Sequence, residues 1–334
     1  MTVELAVVIP THQRRDLLVR VLAALAAQTL ARERFTVTVV CDGCHDGSAD
    51  AARQAVAADG EAAGLNLRVL EQANAGAASA RNRGAGDSDA GLLLFLDDDM
   101  IAQPDLLAVH LEQHRRRRGT IVIGHLPVHP DSPPSYLTRG LARWVDRRHQ
   151  LLSRPGAPVP VDEVLTGQMS MAWRTFRQLG GFDTRFTAGG TFGGEDIELG
   201  WRARDRGVAV VYQPLAVSQQ LYRKTFTALC RNIRDAAAAD TLMAAVHPAV
   251  ATHLPLGQMD GMPLGQRLAL RLTLKQPRVC AALFSLLLAL LNLAAARGFS
   301  ARIWEHLHGV ARAHLYGLGM RDAEAAGISA RRTA

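Results

Sequence analysis

The sequence predicts an α/β fold with a mostly parallel central sheet, helices on both faces of that sheet, and a helical C-terminal extension. Short apolar runs alternate with segments of helical periodicity over the first hundred residues, which is the pattern of a parallel sheet. From Thr225 onward the periodicity is helical only. Polar side chains directly follow several predicted strands, at the edge where open α/β sheets bind their ligands.

The first half of the chain contains four predicted strands and the helices between them. The strands are short runs rich in Val, Ile, Leu and Phe, at residues 5–9, 35–40, 67–70 and 92–96. The segments between them have helical character, at residues 16–28, 48–58 and 76–83. Because strand and helix alternate, these strands are expected to run parallel.

The pattern changes in the second half. A helix at residues 105–117 and a strand at 121–123 precede a stretch rich in Pro, Arg and His, residues 125–160. This stretch is predicted to be a long loop with a short helix that covers a substrate cleft. A helix at 197–206 and a strand at 208–212 come before the helical extension.

Composition limits the class of protein. The 334 residues suit one large domain or one and a half, and 48% hydrophobic with 21% charged residues is ordinary for a globular enzyme. The net charge of +7 suits an anionic substrate or membrane surface. The sequence has no zinc-finger, homeodomain or RNA-binding aromatic signature, so no nucleic acid partner is expected. The four cysteines are predicted to be unpaired thiols in a reducing cytoplasm, and the first residues have a strand pattern rather than that of a signal peptide.

One apolar stretch bears on membrane contact. Residues 279–296 carry no charge and are bracketed by Arg278 and Arg297, at the lower edge of the length of a membrane span. Asn292, Ser285 and the many alanines favour a buried or interfacial helix over a span, and a helix that packs on a partner chain is a third alternative. We therefore expect peripheral contact of the C-terminal helices with the cytoplasmic membrane face, without crossing. The same stretch is compatible with a homo-oligomer.

The run Asp97-Asp98-Asp99 is the most informative feature, because an apolar strand ends abruptly in three carboxylates. Like charges at adjacent positions repel one another, and a divalent cation resolves the conflict. Mg²⁺ and Mn²⁺ take oxygen ligands and favour phosphate oxygens as partners. The run therefore predicts a metal–phosphate site at the strand end, with a solvated acidic turn or a helix cap as the structural alternative.

Two loops place further polar groups after strand ends. The first strand is followed by Pro10-Thr11-His12-Gln13-Arg14, and the second by the run from Asp42 to Ser48. Asp42 is suited to accept a hydrogen bond from the imide of uracil or thymine, while glycines in this run allow a tight turn. Helix capping is the alternative role for Asp46 and Ser48.

Two predicted helix starts also carry charged residues. Arg81 follows a run of small residues that lets a helix start lie close to a ligand, so it can reach a diphosphate or the aspartates. A buried salt bridge to an aspartate at the sheet edge is the alternative, and both roles are compatible. Glu195 and Asp196 begin the helix after Gly193-Gly194, where the helix dipole favours ionised carboxylates. Such a carboxylate can act as a general base, and N-capping is the alternative.

These blocks together resemble family 2 glycosyltransferases, which have the Rossmann-like GT-A fold. The resemblance covers roughly the first 220 residues. Six blocks carry it, in the order of the family: 10–14, 42–48, 74–82, the DxD-like 97–99, 166–183, and the ED-like 194–200.

The resemblance implies an inverting transferase that moves a sugar from a nucleotide-diphosphate donor to an acceptor hydroxyl with help from Mn²⁺ or Mg²⁺. UDP- or dTDP-sugars are favoured, and the acceptor is a glycan, a lipid-linked sugar or a small metabolite. Asp196 would be the general base, with Glu195 as the competing candidate, and Asp99 with Asp97 would hold the metal. The remaining donor-binding positions would be Pro10, Thr11, Arg14, Asp42, Arg81, Asp97 and Asp98. Residues 1–222 would form the catalytic domain, with a nucleotide-binding half at 1–100 and an acceptor-binding half at 101–222, and 223–334 the helical extension.

One position departs from the family pattern. A histidine that can complete the metal shell often follows the strand after the ED helix, whereas this chain has Ser218, Gln219 and Gln220 there. Either glutamine, or water, would fill the position. Two rival functions are a sugar-phosphate nucleotidyltransferase and a catalytically silent sugar-nucleotide-binding protein. A nucleotidyltransferase needs a Gly-rich basic loop after the first strand, which Pro10-Thr11-His12-Gln13 does not supply.

Overall fold

The computed structural model describes residues 3–88, 90–191, 193–255, 257–258 and 261–328. The strands are β1 (Leu5–Thr11), β2 (Phe35–Asp42), β3 (Leu67–Gln72), β4 (Leu92–Leu96), β5 (Met100–Ala102), β6 (Ile121–His125), β7 (Gln168–Ala172) and β8 (Val210–Gln220). The helices are α1 (Arg15–Ala26), α2 (Ser48–Ala55), α3 (Ala77–Gly86), α4 (Leu106–Arg116), α5 (Tyr136–Leu152), α6 (Trp173–Leu179), α7 (Glu195–Asp205), α8 (Phe226–Val246), α9 (Leu264–Lys275), α10 (Pro277–Ala296) and α11 (Arg302–Ala325).

Within the described ranges, the strands form one mixed sheet in the order β3-β2-β1-β4-β7-β6-β8-β5. The pairs β1–β2, β1–β4, β2–β3 and β6–β8 are parallel. Strand β7 runs antiparallel to β4 and β6, and β5 runs antiparallel to β8. The predicted mostly parallel α/β fold is therefore confirmed. The carboxyl ends of β1, β2 and β4 lie at one edge of the sheet, because these strands are parallel neighbours.

The sheet is buried on both faces, as a parallel sheet requires. Alternate residues of β1 point to opposite sides because the side-chain period of a strand is two. Leu5 and Val7 pack with Leu22 of α1 on one side, while Val8 packs with Ala85 of α3 on the other. Helices therefore cover both faces, as predicted.

Three sequence expectations need correction. The segment 125–160 contains the long helix α5, 17 residues, rather than a short one. The strand expected at 208–212 continues as β8 to Gln220 across a register shift, past Pro214, which lacks the N–H of a regular ladder. Strands β5 and β7 were not predicted: β5 is only three residues long, and β7 is a five-residue run in which buried Gln168 and Ser170 alternate with buried Met169 and Met171.

The structure separates into two compact units. The first comprises 1–131, 144–190 and 195–222, within the described positions, and contains the sheet. The second comprises 132–143, 191–194 and the described residues from Arg223 onward. Helices α8, α9 and α11 form the core of the second unit around Ile233, Leu270 and Leu315. Helix α10 has the length and composition to cross a membrane, with a mean hydropathy of 2.4, and 17% of its apolar window is buried.

Helix α3 lies against β1 and β2 at a distance that only a glycine permits. A Cβ added to Gly84 would lie 2.5 Å from Cγ1 of Val8 and 3.1 Å from Cγ2 of Val40. Gly86, two residues later in the same helix, faces open space. The close approach at Gly84 fixes the height of α3 above the sheet, and thereby the position of Arg81 one turn earlier.

We predict that Gly84→Ala lowers the free energy of unfolding by about 1–3 kcal/mol, because the added methyl overpacks a buried contact. Gly86→Ala is the matched control and should be neutral or stabilising by up to ~1 kcal/mol, since alanine is the better helix former. Urea unfolding measures both. Equal stability of the two variants would show that the α3–β1 contact is not limiting.

Candidate active site

The predicted site residues gather at the carboxyl ends of β1, β2 and β4. The β1–β2 register pairs Thr11 with Cys41, so the loop that follows β1 lies beside the loop that follows β2. Contacts that join these loops include the His12 ring Nδ1 with the carbonyl of Asp42 at 2.6 Å and Gln13 Nε2 donating to the carbonyl of Gly43 at 3.4 Å. Gln13 Oε1 also accepts from the amide of His45 at 3.3 Å, and Cys44 Sγ donates to the carbonyl of Thr11 at 3.4 Å. Gln13 adopts a left-handed conformation, φ 54°. Sequence reasoning gave Gln13 no role, because no local signal requires that conformation of a glutamine.

Asp98 anchors the loop after β1. Its carboxylate accepts 2.7 Å from the Thr11 hydroxyl and 3.1 Å from Nη1 of Arg14. Burial raises the pKa of Asp98 to about 7, against the opposing effect of the Arg14 charge. Both carboxylate oxygens are thus engaged by protein groups, so Asp98 contributes to the site chiefly by holding Thr11 and Arg14.

Asp99 is the more open of these two buried neighbours. Its Oδ2 accepts from Arg14 Nη1 at 3.0 Å and from Gln220 Nε2 at 3.3 Å. Its Oδ1 is buried and has no hydrogen-bond partner among the described residues. Burial raises the pKa of Asp99, and Arg14 opposes this rise. Both glutamines that stand where the family often has a histidine pair with β5 through their backbones, and the side chain of Gln220 reaches Asp99.

Arg81 lies between two carboxylates from different elements. Its Nη2 donates to Asp97 Oδ1 and its Nη1 to Glu195 Oε1, both at 2.7 Å. Only 4% of its side chain is exposed, and the guanidinium carbon lies 5.7 Å from the ring centroid of Phe182. Burial acts to lower the pKa of Arg81, but Asp97 and Glu195 together raise it. The salt-bridge role proposed as an alternative is therefore present, with a second partner, Glu195, that the sequence pattern did not reveal.

Asp196 differs from Glu195 although the two are adjacent. Asp196 is partly exposed, and its Oδ1 accepts 2.9 Å from the amide of Ile197. Burial and the neighbouring Glu195 charge raise the pKa of Asp196 well above the ordinary aspartate range, despite hydrogen bonds from Ile197 and Thr166 that lower it. Burial and the Glu195 charge therefore act against the expected effect of the helix start on Asp196, and the preference for the ionised form stays a prediction.

Asp42 holds the start of α3. Its Oδ1 accepts from Gln72 Nε2 and the amide of Ala75, and its Oδ2 from the amide of Gly76, each at 2.8 Å. The backbone of Gly76 passes so close to Thr187 that an added Cβ would lie 1.7 Å from the Thr187 carbonyl oxygen. These contacts fix the direction of the Asp42 carboxylate.

Asp46 has the local capping role that was weighed for it. Its carboxylate accepts from the amide and hydroxyl of Ser48, at 3.1 and 2.6 Å, and from the amide of Arg15 at 3.0 Å. It therefore caps the start of α2 and also binds the start of α1.

The oxygen-rich donor set suits a hard divalent cation. No group of three or more His, Cys, Asp or Glu in the described part of the chain is arranged to hold a metal ion. Mg²⁺ commonly uses only one or two carboxylates together with substrate phosphates, which matches a single unpartnered oxygen on Asp99. Asp99 is the residue that fits this role, with Asp97 beside it already bonded to Arg81.

Comparison with known proteins decides the family. Residues 6–174, half of the chain, match the model described as glycosyl transferase family 2. The chain belongs to this family. Residues 146–223 also match a model described as the N-terminal domain of galactosyltransferase. The family predicted from the six blocks is therefore confirmed, and it places the chain among glycosyltransferases.

Two curated relatives are similar over different lengths. Validoxylamine A glucosyltransferase of Streptomyces hygroscopicus subsp. jinggangensis (strain 5008) is 34% identical over 244 residues, which cover 65% of this chain and 54% of the relative. Glycosyltransferase AglE of Haloferax volcanii is 34% identical over 96 residues, 28% of this chain and 30% of the relative. The chain thus spans about half the length of the validoxylamine A glucosyltransferase that it matches.

Solved structures support the fold. The mannosyltransferase PcManGT from Pyrobaculum calidifontis, in complex with GDP-Man and Mn²⁺, has a TM-score of 0.58 at 17% identity, covering 93% of this chain and 87% of that one. S. aureus TarS 1–349 in complex with UDP-GlcNAc has a TM-score of 0.54 at 12% identity, covering 97% and 92%. At these identities the likeness concerns the fold alone, and it supports the predicted GT-A fold.

The ion pairs of Arg81 with Asp97 and Glu195 should contribute to the stability of the fold. Arg81→Met should lower the free energy of unfolding by about 3–5 kcal/mol, because it leaves the buried Glu195 without a countercharge. Adding Glu195→Leu should recover part of that loss, since an apolar pair of similar size is tolerated where a lone charge is not. Chemical unfolding measures both variants.

The exposed pair of Arg53 with Glu71 supplies the control. Arg53→Met should change stability little, because solvent screens a surface ion pair. If Arg81→Met and Arg53→Met lower the free energy of unfolding by the same amount, the ion pairs of Arg81 do not stabilise the fold.

Proposed function

We propose that the protein is an inverting, metal-assisted glycosyltransferase that moves a sugar from a nucleotide-diphosphate donor to an acceptor hydroxyl. The observation that carries this proposal is the unpartnered, buried Oδ1 of Asp99 at the strand edge. Arg14, Arg81 and the partly exposed Asp196 belong to the same first unit. Membership in glycosyl transferase family 2 supports the reaction class.

Donor binding uses the edge formed by β1, β2 and β4. Mn²⁺ or Mg²⁺, held by Asp99 with Asp97 beside it, would offset the charge of the diphosphate as it leaves. The PcManGT neighbour was solved with Mn²⁺ and GDP-Man, which supports use of a divalent metal. Pro10, Thr11 and Arg14 line the loop after β1, and Arg14 supplies a cation at this edge. Gln220 takes the place of the frequent histidine through its contact with Asp99.

The nucleobase is assigned to Asp42. Gln72, Ala75 and Gly76 donate to its carboxylate and hold its orientation. A carboxylate has about four acceptor sites, so one remains for the N3 imide of uracil or thymine after three protein donors. UDP- and dTDP-sugars are therefore the favoured donors, and the TarS neighbour solved with UDP-GlcNAc is consistent with this choice.

Asp196 acts as the general base. The acceptor oxygen attacks the anomeric carbon, its proton passes to the Asp196 carboxylate, and the electron pair of the breaking carbon–oxygen bond stays on the diphosphate. Attack from the face opposite the leaving group in one displacement inverts the configuration. Glu195 is the weaker candidate because it is buried and bonded to Arg81, which leaves it little freedom to meet an acceptor.

The proposed acceptor is a hydroxyl compound, and the match to validoxylamine A glucosyltransferase favours a small metabolite over a glycan or a lipid-linked sugar. We propose a cytoplasmic location and retain residues 1–222 as the catalytic domain, divided into nucleotide-binding and acceptor-binding halves at residue 100. The helical extension at 223–334 and a homo-oligomer remain predictions. The nucleotidyltransferase alternative loses its support, because the chain matches a glycosyl transferase family over half of its length.

Donor turnover tests the function directly. UDP- and dTDP-sugars should be hydrolysed or transferred faster than GDP- and ADP-sugars, and turnover should need Mn²⁺ or Mg²⁺. Asp99→Asn removes the carboxylate charge and should abolish metal-dependent nucleotide binding, measured by calorimetry, while the folded state survives. Asp59→Asn serves as a matched control, because Asp59 is exposed and lies outside the six blocks. Binding without turnover would identify a silent binding protein, and unchanged metal-dependent affinity in Asp99→Asn would remove Asp99 from the site.

The base is tested by turnover and its pH dependence. Asp196→Asn should reduce transfer by on the order of 10²–10⁴-fold while donor affinity changes little. Because the pKa of Asp196 is raised, kcat/KM of the unchanged enzyme should fall with decreasing pH well above ~3.9, the ordinary aspartate value. Only the deprotonated form accepts a proton, so activity rises with pH, and Asp196→Asn should lose this limb. Normal transfer by Asp196→Asn together with an inactive Glu195→Gln would assign the base to Glu195.

A further inference from the structure

The second unit exposes an apolar stripe along α10. Val279, Leu283, Leu286, Leu290 and Leu293 are 56%, 71%, 69%, 43% and 43% exposed. They recur every three or four residues, so they lie on one side of the helix. The side of α10 next to this stripe is packed: Cys280, Leu291 and Ala294 are buried, and Phe284 stacks on His314 of α11 with ring centroids 4.3 Å apart. Folded proteins rarely leave a continuous apolar surface of this kind in water.

Helix α9, which belongs to the same unit, adds a second stripe. Leu264, Leu268 and Leu272 are 62%, 48% and 53% exposed and recur every fourth residue. The other side of α9 buries Leu270 and Thr273 against the core of the unit. Both helices therefore bury one side in protein and present leucines on another.

The charges around these stripes have one sign. Between Gly261 and Trp304 the sequence has no Asp or Glu, and it has six cations: Arg267, Arg271, Lys275, Arg278, Arg297 and Arg302. The loop and helix start beyond α10 also carry aromatic rings, with Phe299, 43% exposed, 5.9 Å from Trp304 between ring centroids. Exposed leucines, flanking cations and aromatic rings are the composition of a helix that lies in the interface of an anionic bilayer.

We propose that α9 and α10 bind the surface of an anionic lipid membrane, lying in its plane with their exposed leucines in the acyl boundary and the cations at the headgroups. A second copy of this chain fits less well. A symmetric dimer through the stripe would set the same basic segment of each copy against the other, and like charges would face each other. A span fits less well too, because crossing would pull Phe284 from His314 and Leu291 from its buried site. This inference does not rest on the proposed reaction.

Vesicle sedimentation of the full chain tests the proposal. Vesicles of phosphatidylcholine are compared with vesicles in which roughly one third is phosphatidylglycerol, at low and at high salt. Binding should be strong only to the anionic vesicles and should weaken at high salt. Lys275→Gln with Arg278→Gln should weaken it by roughly 5–30-fold, because two headgroup contacts are lost. Leu283→Gln with Leu286→Gln should weaken it by on the order of tenfold.

Matched control variants lie in the first unit. Leu215 is 67% exposed, so Leu215→Gln removes a comparable apolar side chain. Arg118→Gln with Arg154→Gln removes two exposed cations, matching the charge change. Both controls should bind vesicles as the unchanged protein does. Every substituted side chain is exposed, so we expect all variants to keep their helices. Far-ultraviolet circular dichroism checks this.

Three outcomes would overturn the proposal. One is equal binding to neutral and anionic vesicles, or none to either. A second is the absence of vesicle binding together with a dimer, detected by light scattering, that the double variant Leu283→Gln with Leu286→Gln no longer forms. This result would assign the stripe to contact with a second copy of the chain. Retention in membranes after alkaline carbonate extraction would assign α10 as a span. Donor turnover is measured separately, on protein without vesicles. A failure of the proposed reaction is thereby distinguished from a failure of membrane binding.

Discussion

The site depends on the burial of Arg81 between Asp97 and Glu195. This side chain of α3 joins the end of β4, the next element along the chain, to the start of α7, which is more than a hundred residues away. An arginine can hold two carboxylates at once because its planar fork offers several donors in fixed directions. Its burial is tolerable only because both partners are present. Gly84 supports this arrangement, because its lack of a side chain lets α3 approach the sheet closely enough for Arg81 to reach Asp97.

Negative side chains outnumber positive ones at this edge of the sheet. Four carboxylates, those of Asp97, Asp98, Asp99 and Glu195, form ion pairs with only two guanidinium groups, those of Arg14 and Arg81. The raised pKa values of Asp98, Asp99 and Asp196 express the surplus of negative charge together with burial. A divalent cation would relieve the repulsion at Asp99. The repulsion within this cluster therefore lowers the stability of the folded protein, and ligand binding would reduce that loss. Such a conflict between stability and function is common at functional sites.

Local patterns in the sequence were sufficient for the parallel half of the sheet and for the family. The strands from Leu5, Phe35, Leu67 and Leu92 follow from short apolar runs bounded by polar turns. The antiparallel strand β7 was not predicted from its five residues, and the burial of Gln168 and Ser170 in hydrogen bonds with His110 depends on the fold. The pairing of Arg81 with Glu195 joins residues 114 positions apart, so only the fold brings them together. The raised pKa of Asp196 likewise depends on burial by distant segments.

Adjacent carboxylates in this site divide two tasks between them. In the DxD-like run, Asp98 is bonded to Thr11 and Arg14, while Asp99 keeps one oxygen without a partner. At the start of α7, Glu195 Oε1 is bonded to Arg81 and its buried Oε2 has no hydrogen-bond partner among the described residues, while Asp196 is partly exposed. Consecutive side chains point in different directions, so one residue can anchor the backbone to a basic group and the next can face a ligand. A residue that is held in this way limits the motion of its neighbour, which helps a fold to keep a functional group in place. Two adjacent acids therefore need not act as a pair, and the contacts of each carboxylate show how far the protein already holds it.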